Sequence, residues 1–323
     1  SMNYYYYGFY LVALLWKLTG VDPAIGFQLA IATLAGMFAS ALFSVGSAIS
    51  RHLLPHVHAR RASILASGAM TVLLGVFTGN LDALRQALSR GTWSIDFWQS
   101  SRVVTNAITE FPFFTFLWAD LHPHAVAQPL LVLLLALVFS RWLSAQISPH
   151  TGSVLLVGMG VLVAGSIAVT NAWDIPLAAL LLAAFAVGPL LTLEKPSVRE
   201  FATAPLVAAG LLGGCWLLFA PYFTRFVAVV GGIAPTSNGT AVDEYLTHFG
   251  IPLGLLAAAA LWWLIREGSA WQTSILRTAL FGASASLAGY CFGHFVFATI
   301  PGVAVEFDWL DLLVSLLVGA LAP

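Results

Sequence analysis

Apolar runs of about 20 residues recur along almost the whole chain with short polar breaks between them, and this pattern constrains the fold more than any other feature. A run of that length crosses roughly 30 Å of hydrocarbon as a helix. Lipid offers no partner to a bare N–H or C=O, so each run must satisfy its backbone internally. The pattern predicts spans over 24–50, 62–78, 125–143, 153–171, 175–193, 204–220, 250–265, 275–298 and 309–322. The first run, Tyr4 to Trp16, is shorter, and suits an interfacial or re-entrant helix as well as a crossing. The fold class that follows is all-α: a polytopic transmembrane helical bundle with about nine to ten membrane segments.

Composition agrees. Charged side chains make up 8% of the 323 residues and the net charge is −1, whereas a soluble domain carries about 25% charged residues. A water-soluble enzyme and a nucleic-acid binder are both excluded. Cys215 and Cys291 lie within apolar runs, as buried structural thiols do. With no internal repeat, low-complexity tract or charged linker, residues 1–323 read as a single transmembrane domain.

Loop charge sets the orientation, because cytoplasmic loops collect Lys and Arg. Arg51, His52, His56, His58, Arg60 and Arg61 fill one break, Arg141 opens another, Lys195 and Arg199 mark a third, and Arg266 with Arg277 a fourth. These alternate breaks are expected inside. The intervening ones, 79–124, Asn171 to Asp174, 221–250, and Glu306 with Asp308, are expected outside. Arg85, Arg90 and Arg102 in the 79–124 loop do not overturn this, since long translocated loops obey the charge rule weakly. The expectation is an integral protein of the cell membrane with its site facing outside.

Most of the chemistry sits in the outward breaks. In TEFPFFTFLWADLHPH, Glu110, Asp120, His122 and His124 lie among aromatics directly ahead of a span. Ionisable groups at the edge of hydrocarbon are costly unless paired or used, which makes them functional candidates; aromatic anchoring of a solvated loop is the alternative. In an extended segment Asp120, His122 and His124 point the same way, and with Glu110 they would suit a divalent cation such as Mg or Mn. A carboxylate acting as general base fits equally well.

Asn171, Trp173 and Asp174 form a second candidate, for which helix capping by Asp174 ahead of Pro176 is the plain alternative. Arg225, in the 221–250 loop with Tyr222, Asp243, Glu244 and His248, would suit a phosphate through its planar fork, or would snorkel at the interface. Tyr4 to Tyr7 ring the end of the first apolar run, as an aromatic belt does; Tyr5 and Tyr6 would otherwise stack on a sugar or grip a lipid headgroup. His52, His56 and His58 read as part of an inner basic anchor. Gly210 and Gly214 read as a small-residue packing pair.

Asn3 to Gly8, Phe97-Trp98 with Ser101-Arg102, Glu110-Phe111-Pro112-Phe113 through Asp120-Leu121-His122-Pro123-His124, and Asn171-x-Trp173-Asp174 occur in an order that resembles the YYY-domain membrane protein family. That family is grouped by similarity with the type-C glycosyltransferases, multi-spanning enzymes that take a sugar from a polyprenyl-phosphate donor on the outer membrane face. The resemblance covers about residues 3–250. It implies that Glu110 or Asp120 is the base acting on the acceptor, that Asp120, His122 and His124 are cation ligands, and that Arg102 or Arg225 contacts the donor phosphate. Its partners would be membrane lipid and the polyprenyl-phosphate sugar donor. Relatives as the resemblance describes them are longer, so the chain looks like a shortened core. A non-catalytic lipid-binding scaffold or subunit that keeps the pocket is therefore the second expectation.

Overall fold

The computed structural model describes residues 5–53, 60–147, 153–188, 190, 197–227 and 239–267. In chain order the helices are α1 (Tyr7–Thr19), α2 (Pro23–Leu53), α3 (Arg60–Val72), which runs into a π-helical turn at Leu73–Phe77, α4 (Asp82–Arg90), α5 (Phe97–Ser100), α6 (Pro112–Leu117), α7 (Pro123–Ile147), α8 (Ser153–Thr170), a 3₁₀ turn at Ala172–Asp174, α9 (Ile175–Val187), α10 (Val198–Leu218), α11 (Ala220–Phe223) and α12 (Val242–Glu267). Among the described residues there is no β-strand. The chain divides into two compact units, one from the described residues of Ser1–Thr78 and Pro112–Val230, the other from those of Gly79–Phe111 and Gly231–Pro323.

Local sequence explains the helix ends. Gly20 closes α1 at φ 69°, a left-handed position that a Cβ penalises. Asp22 then accepts the amide of Ala24 at 2.9 Å, ahead of Pro23 in the first turn of α2. Along α8, α9 and α10 apolar residues cover every side, and large ones such as Leu155, Leu180, Leu206 and Leu217 stay exposed. Outward leucines on such helices are what a lipid-facing surface requires.

In lipid, apolar area alone does not hold helices together; close packing of small residues does. α2 and α3 pack antiparallel in this way. A Cβ at Gly46 would meet Thr71, with the carbonyl of Ser67 3.1 Å away, and one at Gly68 would meet Ser47 and Phe43. Leu134, Leu137, Val163, Ala164, Ile167, Ala178, Leu182, Phe185, Leu211 and Cys215 form the core shared by α7, α8, α9 and α10. A Cβ at Gly214 would lie 3.3 Å from Val161 of α8, whereas among the described residues nothing stands within 4 Å at Gly210, so of that expected pair Gly214 is the one that packs on a described neighbour.

The contacts order the first unit end to end. Ala30, Ile31 and Leu34 of α2 lie beside Leu121 and Val126, and the His52 ring lies 6.1 Å from Phe139 and 5.6 Å from Trp142. α2 and α7 therefore run the same way, from a Pro123 end to an Arg51 end. α8 and α10 return toward the Pro123 end, since Gly165 meets Phe219, and Val169 packs with Phe219 and Tyr222. Arg51, His52, Arg61, Arg141 and Arg199 thereby fall at the Arg51 end.

Among the described residues two helices, Pro23–Leu53 and Pro123–Leu143, are long and apolar enough to cross a membrane, and a third span arises if Arg61–Phe77 is joined with Asp82–Arg90. Val154–Thr170, Ala172–Val187 and Ala202–Leu218 are shorter apolar helices. Of the expected spans, 275–298 and 309–322 lie outside the described residues. The segment expected as one outer loop, 79–124, is instead built of α4, α5 and α6 and divided between the units.

Gly46→Val should push α3 off α2, because the nearest obstacle includes the Ser67 backbone. The expected loss is about 1–3 kcal/mol, read as a lowered melting temperature in detergent. An unchanged melting temperature would contradict this close approach.

Candidate functional site

At the Pro123 end, α6 stops in a Schellman-type turn. The amide of Asp120 donates to Thr115 O at 3.1 Å and that of Ala119 to Phe116 O at 3.2 Å. Ala119 occupies the left-handed position, φ 52°, where glycine is usual. Its strain turns the chain sharply, so that Asp120 and His122 leave the helix into solvent before Pro123 starts α7. His122 Nδ1 lies 3.3 Å from Asp120 Oδ2, and both side chains are about half exposed. His124 turns inward, its Nε2 2.9 Å from Thr115 Oγ1, while the imidazoles of His122 and His124 stand 4.9 Å apart.

The expected cation ligands are thus neighbours without a shared focus. Among the described residues no three His, Cys, Asp or Glu side chains gather as a metal ion requires. As placed, Asp120, His122 and His124 do not fit a cation, and no chemical step below passes through one.

Gly8 brings the tyrosine run to the same end. A Cβ there would lie 3.0 Å from Thr170 Cγ2 and 3.2 Å from Val126 Cγ1. The backbone of α1 therefore fits flush against the end of α8 and the start of α7. Three rings then continue onto the 219–226 segment. Tyr5 stacks on Phe226 at 5.8 Å, Tyr6 lies 5.5 Å from Tyr222, and Tyr7 meets Phe219 edge-on at 5.5 Å. Such stacked and edge-on pairs are the preferred aromatic geometries. These tyrosines pack on a second segment rather than only ringing a helix end; Tyr4 lies outside the described residues. Tyr222 is buried and its hydroxyl has no partner among the described residues. Burial, then the neighbouring phenols of Tyr5 and Tyr6, push it up to about 12. Arg225 is exposed on the same segment, its amide bonded to Tyr222 O at 3.0 Å.

Thr170, Asn171 and Asp174 complete this end. Asp174 does not cap α9; its Oδ2 accepts the side-chain amide of Asn171 at 2.9 Å. Burial pushes its carboxyl above the usual range, partly offset by that hydrogen bond. Thr170 is fully buried with its hydroxyl unpartnered among the described residues, and Trp173 is 80% exposed beside them. Tyr5, Tyr6, Asp120, His122, His124, Asn171, Trp173, Asp174 and Arg225 therefore share one end of the first unit.

Glu110 and Arg102 belong to the second unit. Arg102 Nη1 donates to Ser101 O at 2.8 Å and to Ser101 Oγ at 2.7 Å, and its Nη2 donates to Glu110 at 3.2 Å. Its guanidinium also lies 4.4 Å over the Trp98 ring, a cation–π contact. This clamp closes the 102–110 turn and engages both terminal nitrogens of the guanidinium. Asp243, Glu244 and His248 also lie in this unit, where the Thr105 hydroxyl donates to Glu244.

A network that the apolar pattern does not reveal centres on Asp82, which is fully buried. Its Oδ2 accepts from Gln86 Nε2 at 2.6 Å and Ser100 Oγ at 3.0 Å. Arg85 Nη2 stands 3.1 Å from Oδ1, close enough to pair in charge but not aligned as a hydrogen bond. Asn80 Nδ2 donates to Ser100 O at 2.6 Å, and Gln86 exchanges bonds with the Asp96 backbone at 3.0 and 2.8 Å. The available signal is the spacing of Asp82 and Gln86, four apart on one helix face.

Residues 1–322 match the family described as "Uncharacterized membrane protein (DUF2298)". The chain belongs to that family. Membership is consistent with the resemblance carried by the tyrosine run and the Asp120 to His124 block, and it makes this a membrane protein. No curated protein and no solved structure matches the chain.

Two outcomes follow for this DUF2298 member. Ala119→Gly should stabilise the protein by about 1 kcal/mol by removing the left-handed strain, seen as a higher melting temperature. A carboxyl raised in the folded state stabilises below its ordinary value of 3.8 and loses that contribution as pH climbs through its raised value. Asp174→Asn should therefore gain in melting temperature over the parent between acid and neutral pH, and the two should converge in acid. Parallel profiles would mean that burial does not penalise the charge.

Proposed function

We propose that this protein is a type-C-like membrane glycosyltransferase, taking a sugar from a polyprenyl-phosphate donor at the Pro123 end of the first unit. One observation carries the reading: the seating of Gly8 against Thr170 and Val126, continued by Tyr5, Tyr6 and Tyr7 on the 219–226 segment, sets the tyrosine run at the same end as the Asp120 to His124 block, the Asn171 to Asp174 turn and Arg225. Because Arg51, Arg61, Arg141 and Arg199 stand at the other end, the charge rule supports an outward motif end.

In this reading an acceptor hydroxyl gives its proton to a carboxylate as its oxygen attacks the sugar's anomeric carbon, and the bond from that carbon to the donor phosphate breaks. Asp120 is the first choice as base, being solvent-accessible and oriented by His122. Asp174, made more basic by burial, is the second. Arg225, exposed on the segment that carries the tyrosine contacts, would neutralise the leaving phosphate. Trp173 offers an open ring face for a sugar. Glu110, engaged by Arg102, would first have to give up that contact.

The second reading, a lipid-binding scaffold without turnover, is favoured by the failure of Asp120, His122 and His124 to gather about one point. Reconstituted protein supplied with a radiolabelled polyprenyl-phosphate sugar separates the two. Transfer that falls at least about 100-fold in Asp120→Asn, a loss typical of a missing general base, with melting temperature unchanged, supports the enzyme. Bound donor lipid without turnover supports the scaffold, and full activity in the variant removes Asp120 from the mechanism.

A further inference from the structure

At the opposite end of the first unit, the last turn of α2 and the first turns of α3 border a cleft of about 560 Å³ lined by Arg51, Arg61, Ile64 and Leu65. Among the described residues its lining joins two guanidinium groups to two aliphatic side chains. Among the described residues neither arginine is paired with a carboxylate. Two like charges facing one opening repel each other unless an anion lies between them.

Depth adds a second argument. The residue after Arg51, His52, packs its ring edge-on to Trp142, 5.6 Å away, and Trp142 lies 5.6 Å from Phe139. Tryptophan marks headgroup depth at the ends of membrane helices. The cleft therefore opens where lipid phosphates lie, with Ile64 and Leu65 following Arg61 along α3 toward the acyl region.

We propose that this cleft binds a phosphate oxyanion, with Arg51 and Arg61 forking its oxygens and, where the phosphate is a lipid's, Ile64 and Leu65 contacting its acyl chain. Arginine suits this task because its planar fork pairs with phosphate at two points, and basic pockets between membrane helices on the cytoplasmic side hold anionic headgroups. The inference concerns the end away from the motif cluster and stands apart from the transfer reading.

Native mass spectrometry of the purified full chain tests it, with phosphatidylglycerol, phosphatidylcholine and inorganic phosphate as probes. The parent protein should retain phosphatidylglycerol over phosphatidylcholine, and the double variant Arg51→Gln/Arg61→Gln should bind phosphatidylglycerol roughly thirtyfold more weakly. Arg199→Gln, at the same end but outside the cleft, should change it by less than about threefold. Displacement of the lipid by inorganic phosphate alone assigns a free phosphate as the ligand, and resistance to it assigns the lipid headgroup; either result supports the site. Undiminished phosphatidylglycerol binding in the double variant, or an equal loss in Arg199→Gln, overturns it. Should the glutamine variant fail to fold, Arg51→Lys/Arg61→Lys decides: it keeps the charge without the fork, so weakened binding supports the proposal and parental binding overturns it.

Discussion

The arrangement at the Pro123 end depends on how closely the backbone at Gly8 approaches Thr170 and Val126. Any side chain there would hold α1 away from α7 and α8 and lift the tyrosine rings off Phe219, Tyr222 and Phe226. The approach also fixes the course of α1. Its Trp16 lies on Gly26, and its Val12 sits with Ala30, Ile31 and Leu34, so it pairs antiparallel with the first half of α2. Thirteen residues of helix span about 20 Å. With its tyrosine end fixed beside Thr170, α1 extends along the start of α2 and does not run down to the Arg51 end.

Membrane helices can be read directly from the chain because lipid leaves the backbone no alternative. The runs behind α2, α7, α8 and α10 are long and apolar, and their positions follow from composition alone. Which side of each run meets protein cannot be read in the same way. α8 and α10 are apolar all round, so nothing in Gly210 and Gly214 says that the latter is the one facing a described neighbour. The 79–111 segment is hidden for the converse reason. Its interior is polar, held by Asp82, Gln86 and Ser100, and apolar periodicity carries no trace of a core made of hydrogen bonds.

Side-chain roles are the least legible feature, because short-range rules compete. Asp174 has the position of an N-cap, but the Asn171 amide is nearer and takes the carboxylate. Arg102 has the chemistry of a phosphate ligand, yet Ser101, Glu110 and Trp98 already surround it. The alternation of Asp120, His122 and His124 would aim three ligands one way in an extended strand. The turn at Ala119 and the start of α7 at Pro123 break that geometry, and His124 enters the helix facing Thr115.

Helix direction gives the two aspartates of this end related electrostatic settings. Asp120 precedes α7 and Asp174 precedes α9, both of which begin here, so each carboxylate stands near the positive end of a helix dipole. Asp120 is half exposed and stands 3.3 Å from the imidazole of His122. For Asp174 burial pushes the carboxyl up, partly offset by the Asn171 hydrogen bond. The two carboxylates of this end thus differ in solvent exposure, Asp120 being exposed and Asp174 half-buried. Asp174 is tied by its Asn171 hydrogen bond to the end of α8, where Thr170 and Asn171 are buried and where Gly8 seats α1 against Thr170.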